Sequence, residues 1–261
     1  MAERVARSKC KAGLTVDLLG GAQRCAPLVS QHRKGIDYAS RVCREYLIRD
    51  QHGAYRAILS GNVRWTMDYV KNILAIYRQA TDADRDSGLE WYARAKVEAK
   101  AMSIRHDIPV RIVVGVMAAL SPNNRWERNV RDAERLIAAY LNGDDIESVS
   151  VSTYNKMRAK AWAILDAMPA DDQHVMRLLN GQKIVSFFSN IMGHDTCTID
   201  GHARNIAFAE RVGLTDNRTN IGKKLYAELQ DAYNVAAHAA GVKAYEMQAI
   251  TWVVWKRIHN I

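Results

Sequence analysis

The stretch that decides the fold is residues 181–208, GQKIVSFFSNIMGHDTCTIDGHARNIAF. Lys183 stands two residues after Gly181, and Asp200 follows the lysine seventeen residues later. An apolar helical segment and a short polar break separate the two charges. Taken alone, Asp200 is typical of a helix N-cap and Lys183 of a solvated helix start. Together they flank one helix and a turn, so both side chains can face the same cleft.

Helical periodicity extends over nearly every long segment of the chain, with apolar residues three and four positions apart. Helices are predicted at 63–78, at 88–104, in a segment with Pro109 near its first turn, at 125–141, at 153–168, near 172–179, around Lys183, and at 201–212, 219–240 and 243–258. Asp86 or Ser87 is predicted to cap the second helix, and Gly213 to follow the eighth. No segment alternates as a half-buried strand does, so the predicted class is all-α.

Composition excludes several classes of protein. The chain has 261 residues, of which 48% are hydrophobic, which is enough for one large domain or two small lobes. The longest apolar run, residues 112–120, is too short to cross a bilayer. The N-terminus carries charges where a signal peptide needs an apolar core. We therefore expect a cytoplasmic protein without membrane contact.

Cysteine and histidine spacing gives no sign of a metal site. The four cysteines are widely separated and form no Cys-x-x-Cys pair. This pattern is typical of reduced thiols rather than of a disulfide framework, a zinc site or an iron–sulfur site. The eight histidines are scattered singly along the chain. We predict neither a metal nor any other cofactor.

Positive charge is concentrated near the N-terminus. Residues 1–60 hold 11 Lys and Arg against 5 Asp and Glu, whereas the remaining residues hold 26 against 23. Residues 1–55 are therefore predicted to be a basic, partly flexible extension. Such an extension suits an anionic polymer, most commonly nucleic acid, but a solvated basic tail has the same composition.

A second polar cluster follows the apolar helix in VVGVMAALSPNNRWERNV, residues 113–130. Ser121 and Asn123 are small polar groups that suit hydrogen bonding to a base edge, and Trp126 could stack on a base. The same residues also fit an Asx-type turn with Trp126 in the core, which is the commoner arrangement.

The order of three blocks resembles the helix-hairpin-helix DNA glycosylases of the endonuclease III type. The blocks are MAALSPNNRWERNVRDAERLI, STYNKMRAKAWAIL and NGQKIVSFFSNIMGHDTCTIDGHARNIA. The resemblance covers roughly residues 108–212 and implies a two-lobed helical fold. It implies one lobe from residues 108–200, a second from 56–107 with 201–261, and a cleft between them. It also implies an enzyme that flips a base out of double-stranded DNA.

Site residues follow from the same resemblance. Asp200 falls on the family's catalytic aspartate, one residue early, and Lys183 on the lysine nucleophile of its bifunctional members. The implied base pocket and DNA-backbone contacts complete the set: Ser121, Asn123 and Trp126 for the base, and Gly181, Gln182 and Arg204 for the backbone.

The chain also departs from the family. The family's Leu-Pro-Gly-Val-Gly hairpin becomes Arg177-Leu178-Leu179-Asn180-Gly181, so the first glycine and the proline are missing. The C-terminal iron–sulfur cysteines are absent from the sequence as well. Residues 214–261 match no glycosylase tail.

Three functions are compatible with this resemblance. The first is an N-glycosylase, with or without lyase activity, acting on a modified pyrimidine. The second is a bacteriophage DNA hypermodification transferase, similar to the alpha-glutamyl/putrescinyl thymine pyrophosphorylases, which attaches an amino acid or amine to activated 5-hydroxymethyluracil. The third is a DNA-binding module without chemistry. Either enzyme would act in the cytoplasm of a bacterial or phage-infected cell.

Overall fold

The computed structural model describes residues 63–261, with side chains from residue 67 onward. Every regular element in this range is helical, which confirms the all-α prediction for it. The α-helices are α1 (Val63–Tyr77), α2 (Asp82–His106), α3 (Val110–Leu120), α4 (Trp126–Asn142), α5 (Asn155–Asp166), α6 (Asp172–Leu179), α7 (Gln182–Met192), α8 (Gly201–Phe208), α9 (Lys223–Ala240) and α10 (Ala244–His259). Two 3₁₀ turns lie at Ile146–Ser148 and Asn217–Thr219. The predicted extension at residues 1–55 lies outside the described residues.

The start of α2 differs from its prediction. The helix is capped by Thr81 rather than by Asp86 or Ser87, and it begins six residues early, at Asp82 rather than residue 88. The Thr81 hydroxyl accepts from the Asp84 N–H at 3.2 Å, and the Asp84 carboxylate accepts from the Thr81 N–H at 2.9 Å. This reciprocal capping box gives a hydrogen-bond acceptor to the backbone N–H groups of both Thr81 and Asp84. A cap at Asp86 or Ser87 would leave both of these N–H groups without an acceptor.

The end of α8 also differs from its prediction. The helix ends at Phe208 and not at Val212, because Ala209 adopts the left-handed conformation with φ 50°. The Asn205 side chain then donates to the Val212 carbonyl at 2.8 Å. That bond fixes the chain in a non-helical path after the helix.

The first hydrophobic cluster surrounds α3. All nine residues of α3 from Ile112 to Leu120 are buried, because α2, α4, α5, α6 and α7 pack around it. Gly115 permits the closest of these contacts, since a Cβ there would lie 2.7 Å from a Val175 methyl carbon of α6. The apolar run seen in the sequence is thus the central helix of this cluster.

The second hydrophobic cluster is formed by α1, α8, α9 and α10, with Tyr233 completely buried within it. The division into two clusters differs from the predicted lobes at α2, whose buried residues Tyr92, Ala99 and Met102 pack in the first cluster. Along its length α2 also packs closely on α10, so that a Cβ at Gly88 would lie 2.6 Å from Ile250. Helix α2 therefore joins the two clusters.

Within residues 63–261, no helix combines the length and the hydropathy that a membrane span requires.

Candidate active site

The turn between α6 and α7 leads into the candidate site. Asn180 adopts the left-handed conformation with φ 41°, which Asn tolerates better than most residues, and Gly181 is extended. Leu179 stays helical and fully buried. The five-residue hairpin that the resemblance implies is therefore replaced here by a two-residue turn.

The backbone groups of this turn are partly occupied by the chain itself. The Asn180 N–H donates to the Met176 carbonyl at 3.1 Å, and the Lys160 ammonium donates to the Leu179 carbonyl. No side chain caps α7, so Gly181 and the exposed Gln182 lead into an uncapped helix start. The predicted DNA-backbone contacts at Gly181 and Gln182 stay predictions.

The segment from residue 193 to 200 runs back along α7, and the buried amide of Asn190 is a main contact that holds it there. The Asn190 amino group donates to the carbonyls of His194 at 3.2 Å and Thr196 at 2.8 Å. Its amide oxygen accepts from the Thr198 hydroxyl at 2.7 Å. Asn190 thus fixes the extended segment that ends at Asp200.

Tyr226 of α9 joins the two halves of the site. Its hydroxyl accepts from the Ile199 N–H at 3.1 Å and donates to the Gln182 carbonyl at 3.4 Å. Ile199 and Gln182 immediately precede Asp200 and Lys183. Burial raises the pKa of the Tyr226 phenol to about 12, so this hydroxyl keeps its proton at neutral pH. One buried side chain therefore holds the first turns of α7 and α8 side by side.

Asp200 is the N-cap of α8 and is half-buried. One carboxylate oxygen accepts from the Ala203 N–H at 2.7 Å. No donor among the described residues contacts the second oxygen. The predicted N-cap is therefore confirmed, and the cap orients the carboxylate while leaving half of its hydrogen-bonding capacity for a ligand.

His202 shows that the charges of Asp200 and Lys183 act on one place. Burial is the main cause that lowers the pKa of His202, and the positive charges of Lys256 and Lys183 lower it further. The Asp200 carboxylate opposes them. The ring Nδ1 is buried and has no hydrogen-bond partner among the described residues. His202 is thus a neutral imidazole within electrostatic reach of both predicted catalytic residues.

An aromatic cluster lies beside these polar groups, formed by Trp91 of α2, Trp126 of α4, Phe187 of α7 and Trp252 of α10. All four side chains are only partly buried. The Trp91 ring is central, with its centroid 5.2 Å from Trp126, 5.7 Å from Phe187 and 6.2 Å from Trp252. The cluster thus spans helices of both hydrophobic clusters and offers partly exposed ring surface between them.

The aromatic cluster is continuous with the polar pair. Phe187 stands four residues after Lys183, on the same face of α7. The His202 ring lies 6.5 Å from Trp252, and the Lys256 ammonium lies 4.4 Å above the ring of Trp252. The His202 imidazole and the Lys256 ammonium therefore adjoin the aromatic cluster at Trp252, and Lys183 stands one helix turn before Phe187.

The predicted pocket residues have different surroundings. Trp126 is in the aromatic cluster, as its predicted stacking role requires. Ser121 donates its hydroxyl to the Ala118 carbonyl at 2.9 Å and ends α3. Asn123 is exposed in a turn with φ 53°. No contact recorded among the described residues brings Ser121 or Asn123 onto the aromatic cluster, so their pocket role stays a prediction.

Arg204 does not lie where its predicted role requires. Its side chain is only 7% exposed and donates to the Glu210 carboxylate at 2.7 Å. The guanidinium also lies 4.1 Å from the centroid of the Phe208 ring. A side chain so enclosed ties down the end of α8 and does not fit a contact with a DNA backbone. We therefore correct that prediction to a structural role.

Several site residues were not predicted from the sequence: Trp91, Phe187, His202, Tyr226 and Trp252. The only local signals for them are the spacing of four between Lys183 and Phe187 and the same spacing between Trp252 and Lys256. Trp91 and Tyr226 have no such signal, because their positions depend on how distant helices pack.

Within the described residues, no group of three or more His, Cys, Asp or Glu side chains is arranged to hold a metal ion. Cys197 is buried next to the site, and burial raises the pKa of its thiol well above the usual value. A thiol in this state is a poor nucleophile, so Cys197 contributes packing.

Comparison with known proteins gives a family but no activity. No curated protein and no solved structure matches the chain. Residues 57–259, well over half of the sequence, match the model of a family of unknown function, DUF7178. The chain therefore belongs to the DUF7178 family of unknown function.

Proposed function

We propose that this protein is a DNA-base-directed enzyme that takes a modified pyrimidine out of duplex DNA and cleaves its N-glycosidic bond. The observation that carries the proposal is that the segments leading into Asp200 and Lys183 are joined to each other beside a partly exposed aromatic cluster. Tyr226 ties the backbones before both residues together, and both charges act on His202. The resemblance of residues 108–212 to DNA glycosylases supports the choice of substrate.

The aromatic cluster would receive the extruded base. Taking a base out of the duplex costs a few kcal/mol of stacking and pairing, so the pocket must offset that loss. Stacking on an aromatic side chain contributes roughly 1–3 kcal/mol per base. Trp126 and Trp91 belong to different helices and have partly exposed rings inclined at 59° to each other, so either ring could stack on a face of the base.

Asp200 would stabilise the transition state. When the C1′–N bond breaks, its electron pair leaves on the base and positive charge develops on the sugar. The N-cap hydrogen bond orients the carboxylate, and its second oxygen could stabilise such a charge. Water oxygen then bonds to C1′, and the proton that water loses passes through Asp200 or the neutral His202 to the departing base.

Lys183 would act when the enzyme also works as a lyase. Its amine nitrogen attacks C1′ in place of water, the base leaves with the bonding electrons, and the opened sugar remains joined to Lys183 as a Schiff base. Asp200 or His202 accepts the proton that the amine loses. Borohydride reduces that imine to a stable amine, which joins the protein covalently to the DNA.

The experiment offers duplex DNA with thymine, uracil, 5-hydroxymethyluracil or its pyrophosphate ester, with and without amino acids or polyamines. Mass spectrometry follows released base and digested nucleosides in parallel. Free base supports the proposal. A heavier nucleoside without free base would replace it with the transferase activity, and binding without either product would leave a DNA-binding module.

A further inference from the structure

An arginine stripe lies along one face of α4, formed by Arg125, Arg128 and Arg131. Arg125 is the N-cap of α4, and the three residues follow one another at intervals of three, so each arginine neighbours the next one along the helix surface. All three side chains are exposed. We propose that the arginine stripe is the surface that holds the phosphate backbone of duplex DNA, an inference that rests on the proposed function for its choice of polymer.

Two of the three acidic residues of α4 are bound to partners outside the stripe. Asp132 is 1% exposed and binds Arg135 together with other donors of its own chain. Glu134 accepts from Arg105 of α2 at 3.2 Å and lies 2.6 Å from His106. These acids therefore neutralise charges elsewhere, although α4 as a whole looks nearly balanced in sequence.

The three arginines of the stripe have no ion-pair partner among the described residues. Glu127, the third acid of α4, is exposed and forms no ion pair with them within that range. Guanidinium groups bind phosphate oxygens in pairs, which makes arginine better suited than lysine to hold a nucleic-acid backbone. These three arginines therefore differ from an ordinary solvated helix face, on which positive and negative charges balance each other.

The stripe begins where the aromatic cluster begins. Trp126, the first residue of α4, lies in the cluster, while Arg125 precedes it and the other arginines continue along the outer face. At 1.5 Å per residue the stripe is about 9 Å long. Duplex DNA carries about five phosphate charges over that length. A backbone held on the stripe would thus lie directly beside the rings that receive the base.

A fourth cation, Lys156, extends this surface across the turn before α4. The Thr153 hydroxyl donates to the Pro122 carbonyl at 2.6 Å and fixes the start of α5 against that turn. Tyr154 is 53% exposed, and the Lys156 ammonium lies 5.7 Å above its ring. An exposed ring with a cation is suited to the sugar and phosphate of a second nucleotide.

The test measures how the affinity for a fluorescent duplex depends on salt. Arg125, Arg128 and Arg131 are changed together to Gln, which keeps good helix propensity. The matched control changes Lys71, Arg78 and Lys100 to Gln, which removes the same charge from exposed positions of α1, its C-terminal end and α2. Each lost phosphate contact lowers the slope of log affinity against log salt by about 0.9. We expect a loss of about 2 to 3 in the stripe variant, a loss of about 1 for Lys156→Gln, and little change in the control.

The outcomes separate the stripe from the chemistry. Equal slopes for the stripe variant and the control would overturn the inference, even if free base is still released through Asp200. A lower slope in the stripe variant alone supports the inference, even if no offered duplex yields free base and the proposed function fails. Absence of duplex binding by the unaltered protein at about 50 mM salt would overturn both.

Discussion

Two regions of this protein are each built around an aspartate, and the two carboxylates differ in how many hydrogen bonds they accept. In the first, Asp132 of α4 is 1% exposed and accepts from the Ser152 N–H at 2.7 Å, from the Asn124 amide at 3.1 Å and from Arg135. In the second, Asp200 accepts only from the Ala203 N–H among the described residues. Both oxygens of Asp132 therefore accept hydrogen bonds from the chain itself, whereas, within the part of the chain that the structure describes, only one oxygen of Asp200 does.

The difference teaches which carboxylate stabilises the fold and which awaits a ligand. Burial is the largest influence on Asp132 and raises the pKa, but the hydrogen bonds from Ser152, Arg135 and Asn124 together outweigh it, so the pKa is lowered. A carboxylate so fully bonded has no capacity left for substrate. Asp200 has that capacity, and it lies beside an amine and an aromatic cluster.

The largest expected effect concerns Lys183, the amine of the second region. Lys183→Gln should abolish the adduct that borohydride traps between protein and DNA, since no nitrogen remains to form the imine. Lys256→Gln, which removes the other amine near Trp252, should retain the adduct. Gel analysis followed by peptide mapping measures both variants. An adduct that persists in Lys183→Gln would show that another nucleophile occupies this role.

A substitution in the first region should change the stability of the fold and not the reaction. Asp132→Ala leaves the Ser152 N–H and the Asn124 amide without their acceptor, and we expect the free energy of unfolding to fall by about 2 to 3 kcal/mol. Urea denaturation measures the loss. Asp145→Ala, which removes an exposed cap, serves as the control and should cost about 1 kcal/mol or less. Similar losses in both variants would mean that Asp132 is no more structural than a surface cap.

A smaller effect is expected from the aromatic cluster. Trp126→Leu removes a ring face that would stack on the extruded base, and we expect KM for the duplex substrate to rise by about tenfold. Trp162→Leu removes a tryptophan of similar burial that packs against Tyr140 outside the cluster, and it should leave KM unchanged. Steady-state kinetics on both variants, after confirming that both are folded, measures the difference. An equal rise in both would remove the base-stacking role of the cluster.

The smallest effect is a pH dependence of stability from His202. Its pKa in the folded protein is below the unfolded value of 6.5, chiefly because of burial. Below that pH the unfolded chain binds more protons, so the free energy of unfolding should fall as the pH falls from about 6.5 towards the lower folded pKa. Urea midpoints across this range should fall more steeply for the parent protein than for His202→Gln. Identical slopes would show that His202 is protonated as readily in the folded state as in the unfolded state.

Much of the fold can be predicted from the sequence because helix periodicity and helix-end signals depend on residues close together in the chain. Asp200 caps α8 as predicted, and Gly143 in the left-handed conformation ends α4 within one residue of the predicted end at 141. Arg204 was misplaced because its partner Glu210 lies beyond the end of α8, and the predicted helix continued through that end. The helical spacing of apolar residues continues past Ala209 in the sequence, but the helix itself ends at Phe208.

The site was only partly predictable because it is assembled over long sequence distances. Lys183 and Asp200 lie within one short stretch, and the resemblance of that stretch to DNA glycosylases singled them out. Trp91 and Trp252 meet only because α2 and α10 pack together, and no local spacing records that packing. Tyr226 reaches its two backbone partners from α9, for the same reason.

The central claim is that Asp200 acts on the substrate while Asp132 acts on the fold, and Asp200→Asn tests it most directly. Asn is also a good N-cap, so α8 should remain folded and the duplex affinity should stay unchanged. Release of free base in a single turnover should fall by about 100-fold or more, because the stabilising charge is lost. Release within about tenfold of the parent rate, at unchanged affinity, would contradict the claim.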